Sequence, residues 1–118
     1  MIYESISRQS FTTSGTRVYG ITGVCDVYGF IVQTNTDDAA LVVVADGTTR
    51  MRLHLKDDIR DGFKLKEGIG PDWIQEYESK RYGVRFPSSL TAQDSFYILL
   101  QSDSGTKTLE RGLVIREA

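Results

Sequence analysis

Period two dominates the chain. In TRMRLHL, Thr49 to Leu55, residues Met51, Leu53 and Leu55 share one side and Arg50, Arg52 and His54 the other. That alternation is the signature of a half-buried β-strand. YGVRF places Tyr82, Val84 and Phe86 on one face and turns Arg85 away; FYILLQ places Phe96, Ile98 and Leu100 on one face, while Tyr97 and Leu99 make its other face apolar too. TLERGLVIRE near the C-terminus alternates less cleanly. Turn-forming clusters separate these runs: Ser14-Gly15, Asn35 to Asp38, Asp46-Gly47, Gly68 to Pro71, Pro87 to Ser89 and Asp103 to Gly105. Each supplies the short polar or glycine residues that tight turns need. Six or more short strands at such spacing predict an all-β fold, a single antiparallel β-sandwich of jelly-roll type over residues 1–118. Asp46-Gly47, between ALVVVA and TTRMRLHL, is the strongest two-residue hairpin signal. DWIQEYESK, Asp72 to Lys80, fits either a short helix capped by Asp72 or a strand with Trp73 and Tyr77 on one side. We read it as an extended edge strand.

Two runs break the polar-out rule. VYGFIV and ALVVVA flank the polar tract QTNTDDA and read as a hairpin that is apolar on both sides. With Tyr28, Phe30 and Val32 turned to the core, Val27, Gly29 and Ile31 face out; in the second run Leu41 and Val43 oppose Ala40, Val42 and Val44. An isolated sandwich carries polar residues on its outer faces, and no segment is a long helix that could cover this one. Large apolar patches on soluble proteins mark contacts with other chains. The candidate subunit interface is therefore Val27, Ile31, Val42, Val43 and Val44.

Composition narrows the chemistry. A chain of 118 residues makes one domain. Its net charge of −2, with no basic run longer than Lys80-Arg81, argues against nucleic acid, whose phosphates need a concentrated basic face. No apolar stretch approaches membrane-spanning length, and MIYESISRQS lacks the order of a secretion signal, so we expect a soluble protein made inside the cell. One cysteine, Cys25, permits no internal disulfide, and with one histidine, His54, it leaves no set of soft metal ligands. The acidic pairs Asp37-Asp38 and Asp57-Asp58, with Asp61 nearby, lack the spacing of a calcium loop and read as solvated turns. No nucleophile elbow or phosphate-binding glycine loop is present. We expect no catalytic residues, no metal and no cofactor. Trp73, Tyr77 and Tyr82, with Tyr97, form a candidate aromatic surface for a carbohydrate or receptor, the rival functional class.

From Arg17 to Gln101 the chain resembles small β-sandwich structural proteins of tailed bacteriophage virions. The resemblance rests on VYGFIVQTNT running into a polar turn, on ALVVVADG, and on YGVRFPSSLTAQDSFYILLQ closing the sheet. That group often has a glycine in the turn after the proline, where this chain has Ser88-Ser89. The resemblance implies a virion building block without catalysis, a head decoration or stabilisation protein or a tail or connector piece. It implies copies of itself, often in trimers, and other capsid or tail proteins as partners, with synthesis in the host cytoplasm.

Overall fold

The computed structural model describes residues 1–58 and 80–117 and the strand path of residues 73–78. Ten strands follow in order: β1 (Ile2–Ile6), β2 (Gln9–Phe11), β3 (Thr16–Thr22), β4 (Cys25–Thr34), β5 (Ala39–Ala45), β6 (Thr48–His54), β7 (Trp73–Glu78), β8 (Arg81–Ala92), β9 (Ser95–Ser102) and β10 (Lys107–Glu117). There is no helix among the described residues. Two antiparallel sheets pack together as a β-sandwich. Sheet A has the order β1-β10-β4-β8-β7, with β2 continuing the β1 edge along β10, and sheet B has the order β3-β9-β5-β6.

The pairing is nested. β1 pairs with β10, β3 with β9, β4 with β8 and β5 with β6, as if one long hairpin had been rolled up. The roll closes through β10–β4 in one sheet and β9–β5 in the other. This is jelly-roll topology. The innermost turn is Asp46-Gly47, with φ of +53° and +76°. Both residues are left-handed, as a type I′ turn requires, and asparagine, aspartate and glycine tolerate that conformation best.

The alternating strands face as their patterns predict. Met51, Leu53, Leu55, Val84, Phe86, Phe96, Ile98 and Leu100 are buried, and Arg52 and Arg85 are exposed. Arg50 is half-buried, not fully exposed. The largest side chains of the core are Tyr82, Phe11, Phe30 and Phe96. Burying each such ring removes enough apolar surface from water to stabilise the fold by about 1.5–3 kcal/mol.

Three expectations need correction. First, VYGFIV and ALVVVA are not a hairpin: β4 lies in the middle of sheet A and β5 in the middle of sheet B. The loop between them is anchored to other elements, with Thr34 N–H donating to the Lys80 carbonyl, Asn35 N–H to Thr108 and Asp103 N–H to Asp38. Those bonds lead the chain across the sandwich. Second, Val27 is fully buried, and Tyr28 is the half-exposed residue. β4 carries a bulge here: Val27 pairs with Arg116 and Leu90, Gly29 with Ile115 and Arg85, and Tyr28 is the extra residue between. An inserted residue shifts the alternation, so Val27 and Phe30 both face inward. Third, Pro87 to Ser89 do not turn the chain. They stay within β8 as four residues, Phe86 to Ser89, that skip the β4 ladder. A proline has no N–H to donate there, and the strand bows out before pairing resumes at Leu90.

A polar clasp ties the sheets at one corner. Tyr19 of β3 donates its hydroxyl to Oε1 of Glu4 on β1, and Arg116 of β10 donates from Nε to the same oxygen. Arg116 Nε also lies 3.2 Å from the Tyr19 hydroxyl. The arginine and tyrosine hold the Glu4 carboxyl below its ordinary range. Partial burial, with the bond to Glu4, pushes the Tyr19 phenol up to about 12.

Candidate functional site

Among the described residues no third layer covers either outer sheet face. The two faces differ. On sheet B, Val42 lies between Leu99 and Arg52, and Val44 between Tyr97 and Thr49. Both valines point outward, yet they are only 8% and 7% exposed. Long neighbouring side chains close this face. The Arg17 guanidinium sits 3.9 Å over the Tyr97 ring, and Arg52 Nη2 donates to Gln101 Oε1 at 2.8 Å. Arginine stems can cover apolar surface while their heads stay wet.

Sheet A is less well covered. Two rows cross its outer face in register: Tyr3, Ile115, Gly29 and Arg85, then Ser5, Leu113, Ile31 and Gly83. Ile31, Leu113, Ile115 and Tyr28 are each half-buried, and Tyr3 is exposed. Glycines form the low points between them. A Cβ at Gly29 would lie 2.6 Å from the Val84 carbonyl oxygen, so only glycine lets β4 and β8 meet this closely. The result is a depression of about 410 Å³ whose walls include Tyr28, Ile31, Arg85, Pro87 and Ile115. A second, of about 260 Å³, lies beyond Ile31 and is bordered by Gln33, Arg111 and Leu113. This face is apolar at its centre with arginines at its margin. Arg111 Nε donates to Gln33 Oε1 at 3.1 Å. Burial and the nearby Glu117 raise the Tyr28 phenol above its ordinary value.

A more polar depression, of about 400 Å³, surrounds His54 together with Arg52, Asp58, Gln101, Ser102 and Asp103. His54, on the polar side of β6, is half-buried and bonded at both ring nitrogens. Its Nδ1 accepts the N–H groups of Lys56 and Asp57 at 3.2 and 3.3 Å, so the proton sits on Nε2, which donates to Asp103 Oδ2 at 2.7 Å. Both ring nitrogens are thus hydrogen-bonded within the protein. Ser102 Oγ is likewise occupied by the Ser104 carbonyl and N–H. Asp58 accepts the His54 N–H, and Asp38 forms an ion pair with Lys56 at 2.6 Å, which holds its carboxyl below the ordinary range. Cys25 is buried, and burial pushes its thiol up, away from the reactive thiolate. Among the described residues no three potential metal ligands come together.

Of the residues singled out for subunit contact, Ile31 stands on the sheet A face. Val42 and Val44 lie on the outer side of sheet B under their neighbours. Val27 and Val43 are in the core: Val27 by the bulge, Val43 because it is on the inward side of β5 with Leu41. Tyr82 is fully buried and leaves the proposed aromatic surface, since its face of β8 is the inward one shared with Val84 and Phe86. The side chains of Trp73 and Tyr77 lie outside the described residues. Sequence reasoning missed Tyr28, Leu113 and Ile115. The signal for the last two was present in the apolar run GLVI of β10, whose bulges blur its alternation. No protein-family model matches the chain, and no curated protein matches its sequence.

Proposed function

We propose that the protein is a non-catalytic structural subunit that acts through repeated contacts with copies of itself and with neighbouring chains, of the head-decoration or stabilisation type found in tailed-phage virions. The observation that carries this reading is the outer face of sheet A. Tyr28, Ile31, Leu113 and Ile115 stand there half-exposed around glycine-floored depressions. The buried thiol of Cys25, pushed up by burial, fits a subunit that does no chemistry. The virion context rests on the sequence resemblance, and fold analogy adds only that jelly rolls often serve as coat modules. The mechanism is passive: apolar faces are buried against neighbours, and many weak contacts add through multivalency.

The test places a charge at the centre of the face. Ile31→Asp leaves its carboxylate in water in the free subunit but strands it, unpaired, in a contact. The variant should melt cooperatively and yet fail to co-sediment with particles. An Ile31→Asp protein that joins particles as well as the parent, or a parent found in no particle at all, would overturn the reading.

A further inference from the structure

The open edges of a sheet display unpaired N–H and C=O groups, and proteins blunt them with bulges, prolines and charged side chains. Among the described residues five strands form the edges, β1, β2 and β7 of sheet A and β3 and β6 of sheet B. Three of their ladders are broken by a register shift, at Arg17/Tyr19 for β3, Val43/Val44 beside β6 and Glu76/Glu78 for β7. β3 and β6 also carry Arg17, Arg50 and Arg52. β2 is only three residues long, and β1 has no bulge and a single charged side chain, Glu4, which is held by Tyr19 and Arg116. Its pairing with β10 runs unbroken from Ile2↔Arg116 to Ile6↔Gly112, and IYESI contains no lysine, arginine or proline. Beside it sit Met1, Ile2 and Tyr3, 63%, 37% and 65% exposed, which are three of the four exposed large apolar side chains among the described residues.

We propose that β1 is a strand-pairing edge for a second copy of this chain, the two β1 strands meeting antiparallel about a two-fold axis at Tyr3. Sheet A would then run on from one subunit into the next. Register follows from geometry and charge. Opposed residues of an antiparallel pair point to the same side, so a two-fold axis must pass through a residue and not between two. Centred on Glu4, two carboxylates would oppose each other, which is unfavourable. Centred on Tyr3, Tyr3 meets Tyr3, Ile2 meets Glu4 and Met1 meets Ser5. No like charges meet in this register, and Glu4 keeps its bonds to Arg116 and Tyr19. Ile115 flanks Tyr3 in register, so an apolar row of Ile115, Tyr3, Tyr3 and Ile115 would cross the junction. Such a contact is isologous, each copy offering the same surface. The inference rests on the reading of the protein as a self-assembling subunit, but it concerns the β1 edge and not the face around Ile31.

Cys25 is the only cysteine and is buried, so Tyr3→Cys adds a single accessible thiol on the proposed axis. Val24→Cys, at a position 60% exposed and outside β1, is the control. Under mild oxidation Tyr3→Cys should form disulfide-linked dimers at least about tenfold faster than Val24→Cys, since pairing raises the local thiol concentration. In sedimentation experiments Tyr3→Lys should lose the two-fold contact while melting like the parent, and Ile31→Asp should keep it. Equal linking rates for the two cysteine variants overturn the proposal, and so does a Tyr3→Lys protein that sediments as the parent does. If the parent is oligomeric and only these edge variants are silent, the edge assignment fails and the assembly reading stands. If the parent is monomeric at every concentration and absent from particles, both fail.

Discussion

A single methyl group at Gly29 should force apart the middle of sheet A. An ideal Cβ there lies 2.6 Å from the Val84 carbonyl oxygen and 3.4 Å from the Arg85 Cα, and real Cβ atoms essentially never come within 3.0 Å of a neighbour. Both obstacles are backbone, so no side-chain rotation relieves them; β4 and β8 must separate where they are hydrogen-bonded. Overpacking of this kind costs about 1–3 kcal/mol. Against it stands the loss of chain freedom in the unfolded state, which favours alanine over glycine by about 0.4–1 kcal/mol. Gly29→Ala should therefore lose about 1.3 kcal/mol, a shift of about 0.7 M in the urea midpoint for a domain of this size. Gly20 is the internal control. It too sits in a strand with ordinary φ, but its nearest neighbour would be Arg17 Cδ at 3.1 Å, the end of a flexible side chain. Moving Arg17 puts at risk only its exposed contact with Tyr97, worth about 0.5–1 kcal/mol. Gly20→Ala should stay within about 0.5 kcal/mol of the parent. Equilibrium urea unfolding followed by tryptophan fluorescence and circular dichroism measures both. A Gly29→Ala protein as stable as Gly20→Ala would refute the close approach of β4 and β8.

Phe96→Ala should cost about 3–5 kcal/mol, because the ring is fully buried and packs edge-on against Tyr19 at 6.2 Å; a loss below about 1 kcal/mol in the same melt would mean that β9 faces the other way. Stability should also fall at both ends of the pH scale. Glu4 is held below its ordinary 4.5 by Arg116 and Tyr19, and Asp46 below 3.8 by the N–H groups of Asp94, Gln93 and Ser95. A carboxyl lowered by folding adds stability above its unfolded value and loses it as pH falls through the folded one. Acid should therefore destabilise the protein progressively from about pH 4.5 downward. Tyr19 is raised from 10.0 to about 12, so its contribution is complete below 10 and is lost as pH climbs from 10 to 12. Tyr19→Phe should flatten the alkaline limb of a stability–pH curve, and an unchanged limb would count against the clasp.

The strands and most of their facings were legible in the chain because side-chain alternation is a local property. TRMRLHL and FYILLQ each declare an inward face whatever else surrounds them, and Asp46-Gly47 declares a turn that needs two left-handed residues. Asp46 also does something no local pattern reveals. Its carboxylate accepts three N–H groups from Gln93, Asp94 and Ser95, so the innermost turn also caps the next one. Sheet membership was equally hidden. VYGFIV and ALVVVA look like partners because they are neighbours in sequence, but the loop between them is bonded to Lys80, Thr108 and Asp103, which are distant in the chain. One inserted residue, Tyr28, exchanged the inward and outward sides of the start of β4 and carried Val27 into the core. Apolar outer positions had the same ambiguity: Val42 and Ile31 read alike, yet Val42 is covered by residues of its own sheet and Ile31 stands at the edge of two open depressions. Composition and period settle what a strand can bury. Only the closed arrangement of all ten strands decides which surfaces are left for something else to cover.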